Sequence, residues 1–121
     1  MEEIEEVLTT MLASVPGAVL AGLLGMDGLG VQIALAESFQ EVDSEILEVE
    51  LASLAEAVQK AAGALTAHPS PEFFLGTARF NFLGTPLTDE PAYFLVLGFS
   101  SEGDLDQAHE ALGRARAALA G

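Results

Sequence analysis

The chain has no cysteine, no tryptophan, a single tyrosine, and only four lysines and arginines in 121 residues. Without cysteine there can be no disulfide and no thiolate metal site. The four basic residues stand against 19 acidic ones, for a formal charge of −15. Phosphate backbones and anionic lipids need Lys and Arg to neutralise them, so this balance argues against nucleic acid and against the membrane surface. No basic residue occurs before Lys60. The acidity has two readings: it keeps an apolar domain soluble, or it steers a basic partner face. Long apolar runs are also missing. The longest, Gly17–Met26, is about half of the ~20 residues that a membrane span needs. The N-terminal MEEIEEVL is acidic, unlike a signal or transit peptide, so a cytoplasmic location is expected.

What is abundant is apolar surface. Half of the residues are hydrophobic and 19% are charged, against about 25% charged in an average globular protein. The length predicts a single domain over 1–121, able to bury roughly two-thirds of its unfolded surface. With a membrane span excluded, the apolar surplus predicts an interface with a second chain.

The stretch Val15–Glu37 organises the rest. Pro16-Gly17 breaks the chain, Ala18–Met26 is apolar at nearly every position, Asp27-Gly28 turns it, and Leu29–Ala36 is apolar again. Asp-Gly between two apolar runs predicts a β-hairpin. Before it, Ile4, Val7, Leu8, Met11, Leu12 and Val15 mark one stripe of a helix over Glu2–Val15. After it, Asp43 or Ser44 can cap a long helix running to about Ala67. Leu47, Leu51, Leu54, Val58, Ala61 and Leu65 form its seam, with Ile46 and Val49 near its start. Ala52, Ala55 and Ala62 mark a flank of small side chains. That flank either lets another helix approach closely or reflects the helix propensity of Ala.

Glu72–Thr85 is strand-rich, either as one long strand or as a short one and a longer one, with Gly76-Thr77 and Gly84-Thr85 as candidate turns. Its Thr77/Arg79/Asn81 face is semi-polar, which suits a sheet edge. A turn lies within Pro86–Pro91, and Ala92–Ser100 is apolar on both faces, as a central strand is. Asp104 and Gln107 form a capping-box pattern before a last helix through Leu105, Ala108, Leu112, Ala115 and Leu119. Short links predict antiparallel pairing, and strands apolar on both faces require helices on both faces. The fold class is therefore α/β (α+β): a three-layer α/β/α sandwich.

The search for chemistry is short. Gly25–Gly30 is glycine-rich, but no Lys-Ser/Thr follows it and a strand comes next, so it fits neither phosphate-binding fingerprint. His68 and His109 have no second ligand at metal spacing. Glu45, Glu48 and Glu56 line the helix side expected to be exposed, and without a cleft they are solvated carboxylates. No nucleophile elbow is present. Neither a catalytic residue nor a cofactor or metal is implied.

The order of elements and the opening motif resemble the Roadblock/dynein light-chain family. The carrying residues are the helix Glu2–Val15, Pro16-Gly17, the strand Ala18–Met26, Asp27-Gly28, the strand Leu29–Ala36, the long middle helix, and the strand ending YFLVLGF before the last helix. The resemblance spans essentially the whole chain. It implies the order α-β-β-α-β-β-β-α with a roughly five-stranded antiparallel sheet, Roadblock/profilin-like. It also implies a non-enzymatic homodimer in which the middle helices lie side by side and the edge strands after them join the two sheets. On that analogy Ala52, Ala55 and Ala62 face the partner helix, and Phe73–Phe80, with Phe73, Leu75, Thr77 and Arg79, supplies the joining strand. Bacterial members regulate small Ras-like GTPases through the paired middle helices. Here that surface would hold Glu45, Glu48, Glu56 and Gln59. The alternative is a purely structural dimerisation subunit of a larger assembly. A third reading is a small-ligand sensor using apolar space between helix and sheet.

Overall fold

The computed structural model describes residues 2–25, 30–39, 43–66, 72–87, 93–101 and 103–120. The Asp27-Gly28 turn, His68, the prolines Pro69 and Pro71, and the TDEP turn lie outside the described residues. The elements are α1 (Glu2–Ser14), β1 (Ala18–Gly25), β2 (Gly30–Leu35), a 3-10 turn (Glu37–Phe39), α2 (Ser44–Leu65), β3 (Phe73–Gly76), β4 (Phe80–Pro86), β5 (Tyr93–Ser100) and α3 (Leu105–Ala120). All strand pairs are antiparallel, and the sheet order is β2-β1-β5-β4-β3. Three strands do follow the middle helix, as the resemblance implies.

The helix ends are set by short polar side chains. Asp43 Oδ1 accepts from the amides of Glu45 (2.9 Å) and Ile46 (3.4 Å) at the start of α2. Asp104 Oδ1 does the same for Asp106 (2.8 Å) and Gln107 (3.3 Å) at the start of α3. Each satisfies amides that the first helical turn leaves without an intrahelical acceptor.

The sheet separates two cores. On one face Leu8 and Met11 of α1, with Val15 just after it, meet Ala108, Leu112 and Ala115 of α3 over Leu23, Leu83, Leu95, Leu97 and Phe99. On the other, Leu51 and Ala55 of α2 lie over Leu20, Leu24, Phe94 and Val96. The two central strands, β1 and β5, are buried along nearly their whole length. Their continuous apolar runs follow from that, since both faces are covered.

The turn inside 72–85 is at neither expected dipeptide. The β3–β4 hairpin closes through Ala78-Arg79, with the Thr77 amide donating to the Phe80 carbonyl at 3.0 Å. The Phe80 amide donates to Thr77 Oγ1 at 3.0 Å, so the threonine hydroxyl takes the place of a main-chain acceptor. Gly84-Thr85 lies inside β4. The hairpin tip is tied to the end of β5: the Ser101 amide donates to the Arg79 carbonyl (3.0 Å) and Ser101 Oγ to the Ala78 carbonyl (3.3 Å).

Candidate functional site

Two surfaces stand out, and both border the α2 face of the sheet. The first is the outward side of α2. Ile46 and Val49 are 61% and 54% exposed there. Glu45, Glu50 and Glu56 are exposed around them, while Glu48 and Gln59 are half-buried at the margin. Lys60 Nζ sits 3.2 Å from Glu56 one turn earlier, an exposed i,i+4 pair that contributes little to stability. The surface is thus an apolar strip with an acidic border.

The small-residue flank is not part of it. Ala52 and Ala55 are 1% and 0% exposed, and Ala55 packs with Leu20, Phe94 and Val96 of its own sheet. They have no surface to offer a partner helix, which corrects the expectation for both. The reason is helical geometry: Leu51, Ala55, Val58 and Ala62 are spaced four, three and four residues apart, so the alanine lies in the leucine stripe. Its small side chain lets α2 come close to the strands. Ala62 is half-buried. Ile46 and Val49, on the far side, were set apart in the sequence only by lying off that stripe.

The second surface is the edge of the sheet, β3. Phe74 and Leu75 are 52% and 40% exposed. Phe73, on the same face as Leu75 and opposite to Phe74, is buried, with its ring centroid 6.2 Å from that of Phe94. Its side chain belongs to the protomer's own core, which corrects its expected place in an interface. The Thr77 hydroxyl is spent on the turn. Arg79 is exposed at the hairpin tip, its guanidinium 5.4 Å from the Phe80 ring centre. Phe80 in turn meets Phe39 edge-on at 5.1 Å. Leu75 alone among the expected strand residues presents an apolar side chain at the edge.

The remaining charged residues bring no chemistry together. Arg116 Nε donates to the Leu87 carbonyl at 3.2 Å, and Arg114 stands 3.9 Å from Glu110; both are on α3, across the sheet from α2. A groove of about 410 Å³ runs between α1 and α3 over Val7, Met11, Ala111 and Ala115. It lies between two helices rather than between helix and sheet. Among the described residues no three His, Asp or Glu side chains are placed to hold a metal ion. No described helix is long and apolar enough to cross a membrane.

No family model and no curated protein sequence matches the chain. Solved structures do. An MglB structure described as having a tetrameric arrangement aligns over 98% of this chain and 86% of its own, at 26% identity and a TM-score of 0.84. The gliding protein MglB from Thermus thermophilus aligns over 98% and 87%, at 26% identity and a TM-score of 0.82. A Roadblock/LC7 domain from Streptomyces avermitilis, 15% identical, shares the fold over 95% and 92% with a TM-score of 0.74. With the α1-β1-β2-α2-β3-β4-β5-α3 order and the five-stranded sheet already in hand, the chain has the Roadblock/LC7 fold of these structures.

Proposed function

We propose that the chain is a homodimeric, non-catalytic module that binds a small Ras-like GTPase through its paired α2 helices, to regulate it or to hold it in a complex. The observation that carries this reading is the exposure of two apolar features, one on the outward side of α2 and one at the β3 edge. Among the exposed large hydrophobics, which also include Leu65, Tyr93 and Leu105, Ile46 and Val49 lie one turn apart on α2 and Phe74 and Leu75 are adjacent on β3. Isolated exposed apolar residues are ordinary; neighbouring ones on a helix and on an open strand edge fit an interface. The acidic border of Glu45, Glu48 and Glu56, with Gln59, fits a partner face rich in Lys and Arg. The tetrameric arrangement of the MglB neighbour supports association in this fold.

Two measurements test it. Sedimentation at micromolar concentration is expected to give twice 12.6 kDa. Pull-down with a Ras-like GTPase is expected to favour either the GTP-analogue or the GDP form. Equal capture of both forms would instead support a purely structural subunit, and no capture would remove the GTPase from the reading.

The arginines bear on mechanism. Arg114 and Arg116 are on α3, on the far face of the sheet, and Arg79 lies over Phe80. No guanidinium from this chain is expected to enter a nucleotide site. Any stimulation of GTP turnover would then act through the GTPase's own loops. Replacing Arg79, Arg114 and Arg116 with Ala is expected to leave that stimulation essentially unchanged. A fall of about 10³-fold, the scale of an arginine finger, would overturn this.

A further inference from the structure

The helices do not cover the sheet evenly. Beneath α1 and α3 the core draws on β1, β4 and β5, and no described residue of β3 belongs to it. α3 lies over β5 and β4, and a step is left beside it at β3. A cavity of about 80 Å³ opens there, lined by Glu72, Thr85, His109, Leu112, Gly113 and Arg116. These residues assemble no reaction, but they are placed to bind.

One wall is a single arc of α3. His109, Leu112, Gly113 and Arg116 follow the i, i+3, i+4, i+7 spacing of one helix face. Arg116 is half-buried, and its Nε donates to the Leu87 carbonyl at 3.2 Å, which holds the guanidinium at that wall. Gly113 leaves the middle of the wall as bare backbone, and a Cβ there would meet no atom within 4 Å. The floor is Thr85, two residues beyond Leu83 on β4 and therefore on the same face of the sheet. The other wall is Glu72. It precedes β3 by one residue, and the pairing of Phe73 with Gly84 brings it beside Thr85.

Thr85 is the one buried polar residue among those described, 6% exposed. A buried hydroxyl is costly without a hydrogen-bond partner. Every wholly enclosed side-chain nitrogen or oxygen among the described residues has a partner. The Thr85 hydroxyl makes no hydrogen bond among them, so it is not enclosed and opens on the cavity it lines.

The cavity is thus dipolar, with a guanidinium and an imidazole on one wall, a carboxylate on the other and a hydroxyl between them. A simple anion is repelled by a chain at −15, and a simple cation has 19 acidic residues to choose from. A molecule that carries both charges and no net charge meets neither obstacle. One water needs about 10–15 Å³, so the space holds a molecule of few heavy atoms, far below the about 300 Å³ at which pockets for drug-sized ligands begin. We propose that it binds a small α-amino acid of the size of glycine or alanine, its carboxylate on Arg116, His109 and the Thr85 hydroxyl and its ammonium on Glu72. Such a ligand holds both charges on one carbon, as so small a space requires, and Leu112 and the bare backbone of Gly113 meet its hydrogen or methyl side chain. The site is across the sheet from α2 and depends on neither the proposed dimer nor the GTPase.

Amide chemical-shift titrations of the full chain test it. Glycine and L-alanine are expected to give saturable shifts at Glu72, Thr85, His109 and Gly113, with a dissociation constant on the order of 1 mM because so few atoms make contact. Acetate and methylammonium, each one half of the ligand, and γ-aminobutyrate, with its charges further apart, are expected to bind about tenfold more weakly or less. Glu72→Gln, at an exposed position, is expected to weaken glycine about tenfold and to leave acetate unchanged or tighter. Thr85→Val is expected to weaken glycine while keeping or raising the thermal midpoint, since valine has no hydroxyl to leave without a partner. No saturable shift with glycine or alanine would overturn the proposal. So would inorganic phosphate or acetate saturating these residues at lower concentration than glycine, which is the behaviour of an anion site, and so would glycine binding that Glu72→Gln leaves intact.

Discussion

Ala55→Arg is expected to unfold the protein rather than to separate two copies of it. Ala55 has no exposed surface and lies among Leu20, Phe94 and Val96 beneath α2. An arginine there must bury its guanidinium without a partner, at an effective cost of several kcal/mol, or push the helix off the sheet. Either outcome consumes much of the roughly 5–15 kcal/mol by which a domain of this size is stable. Urea titration followed by circular dichroism should show the folded baseline shortened or lost. Ile46→Arg, on the opposite side of the same helix, is the contrast: an exposed position should change stability by no more than about 0.5 kcal/mol. An Ala55→Arg protein that unfolds at the wild-type midpoint would mean that α2 is not seated on the sheet as described.

This contrast also marks where the sequence is legible. The period of Leu47, Leu51, Leu54 and Val58 shows that a helix exists and which stripe is most apolar. It does not show how wide the buried arc is, because alanine is as compatible with a helix packed against strands as with one packed against a second helix. The arc is decided by how near the sheet lies, and that depends on residues far away in the chain, Leu20, Phe94 and Val96. The strands behave in the same way. The unbroken apolar runs of β1 and β5 announce central strands, since both faces are covered. The β3–β4 turn was not readable, because it closes through Ala78-Arg79, neither of which is a turn former. What makes it close is the hydroxyl of Thr77 and the anchoring of the tip by Ser101, from 22 or more residues further along. The acidic residues could be counted in the sequence. Their grouping around Ile46 and Val49 is a property of the folded helix.

Gly84→Ala is expected to cost about 1–3 kcal/mol, the range of an overpacked core position, although the same exchange commonly stabilises a chain by restricting its unfolded state. The sign is set by the neighbour. A methyl at position 84 would start 2.2 Å from the Phe73 ring. That ring cannot simply swing away, because it is buried and tilted against Phe94, 6.2 Å off. Phe73→Ala alone should cost about 3–5 kcal/mol for the lost aromatic burial. The double variant is the decisive measurement. With the ring gone, the added methyl meets space and should partly refill it, so Gly84→Ala should become neutral or favourable. The two changes should then couple by about 1–3 kcal/mol in chemical denaturation, the non-additivity of residues in contact or sharing a cavity. Strict additivity would mean that the ring does not lie over the glycine.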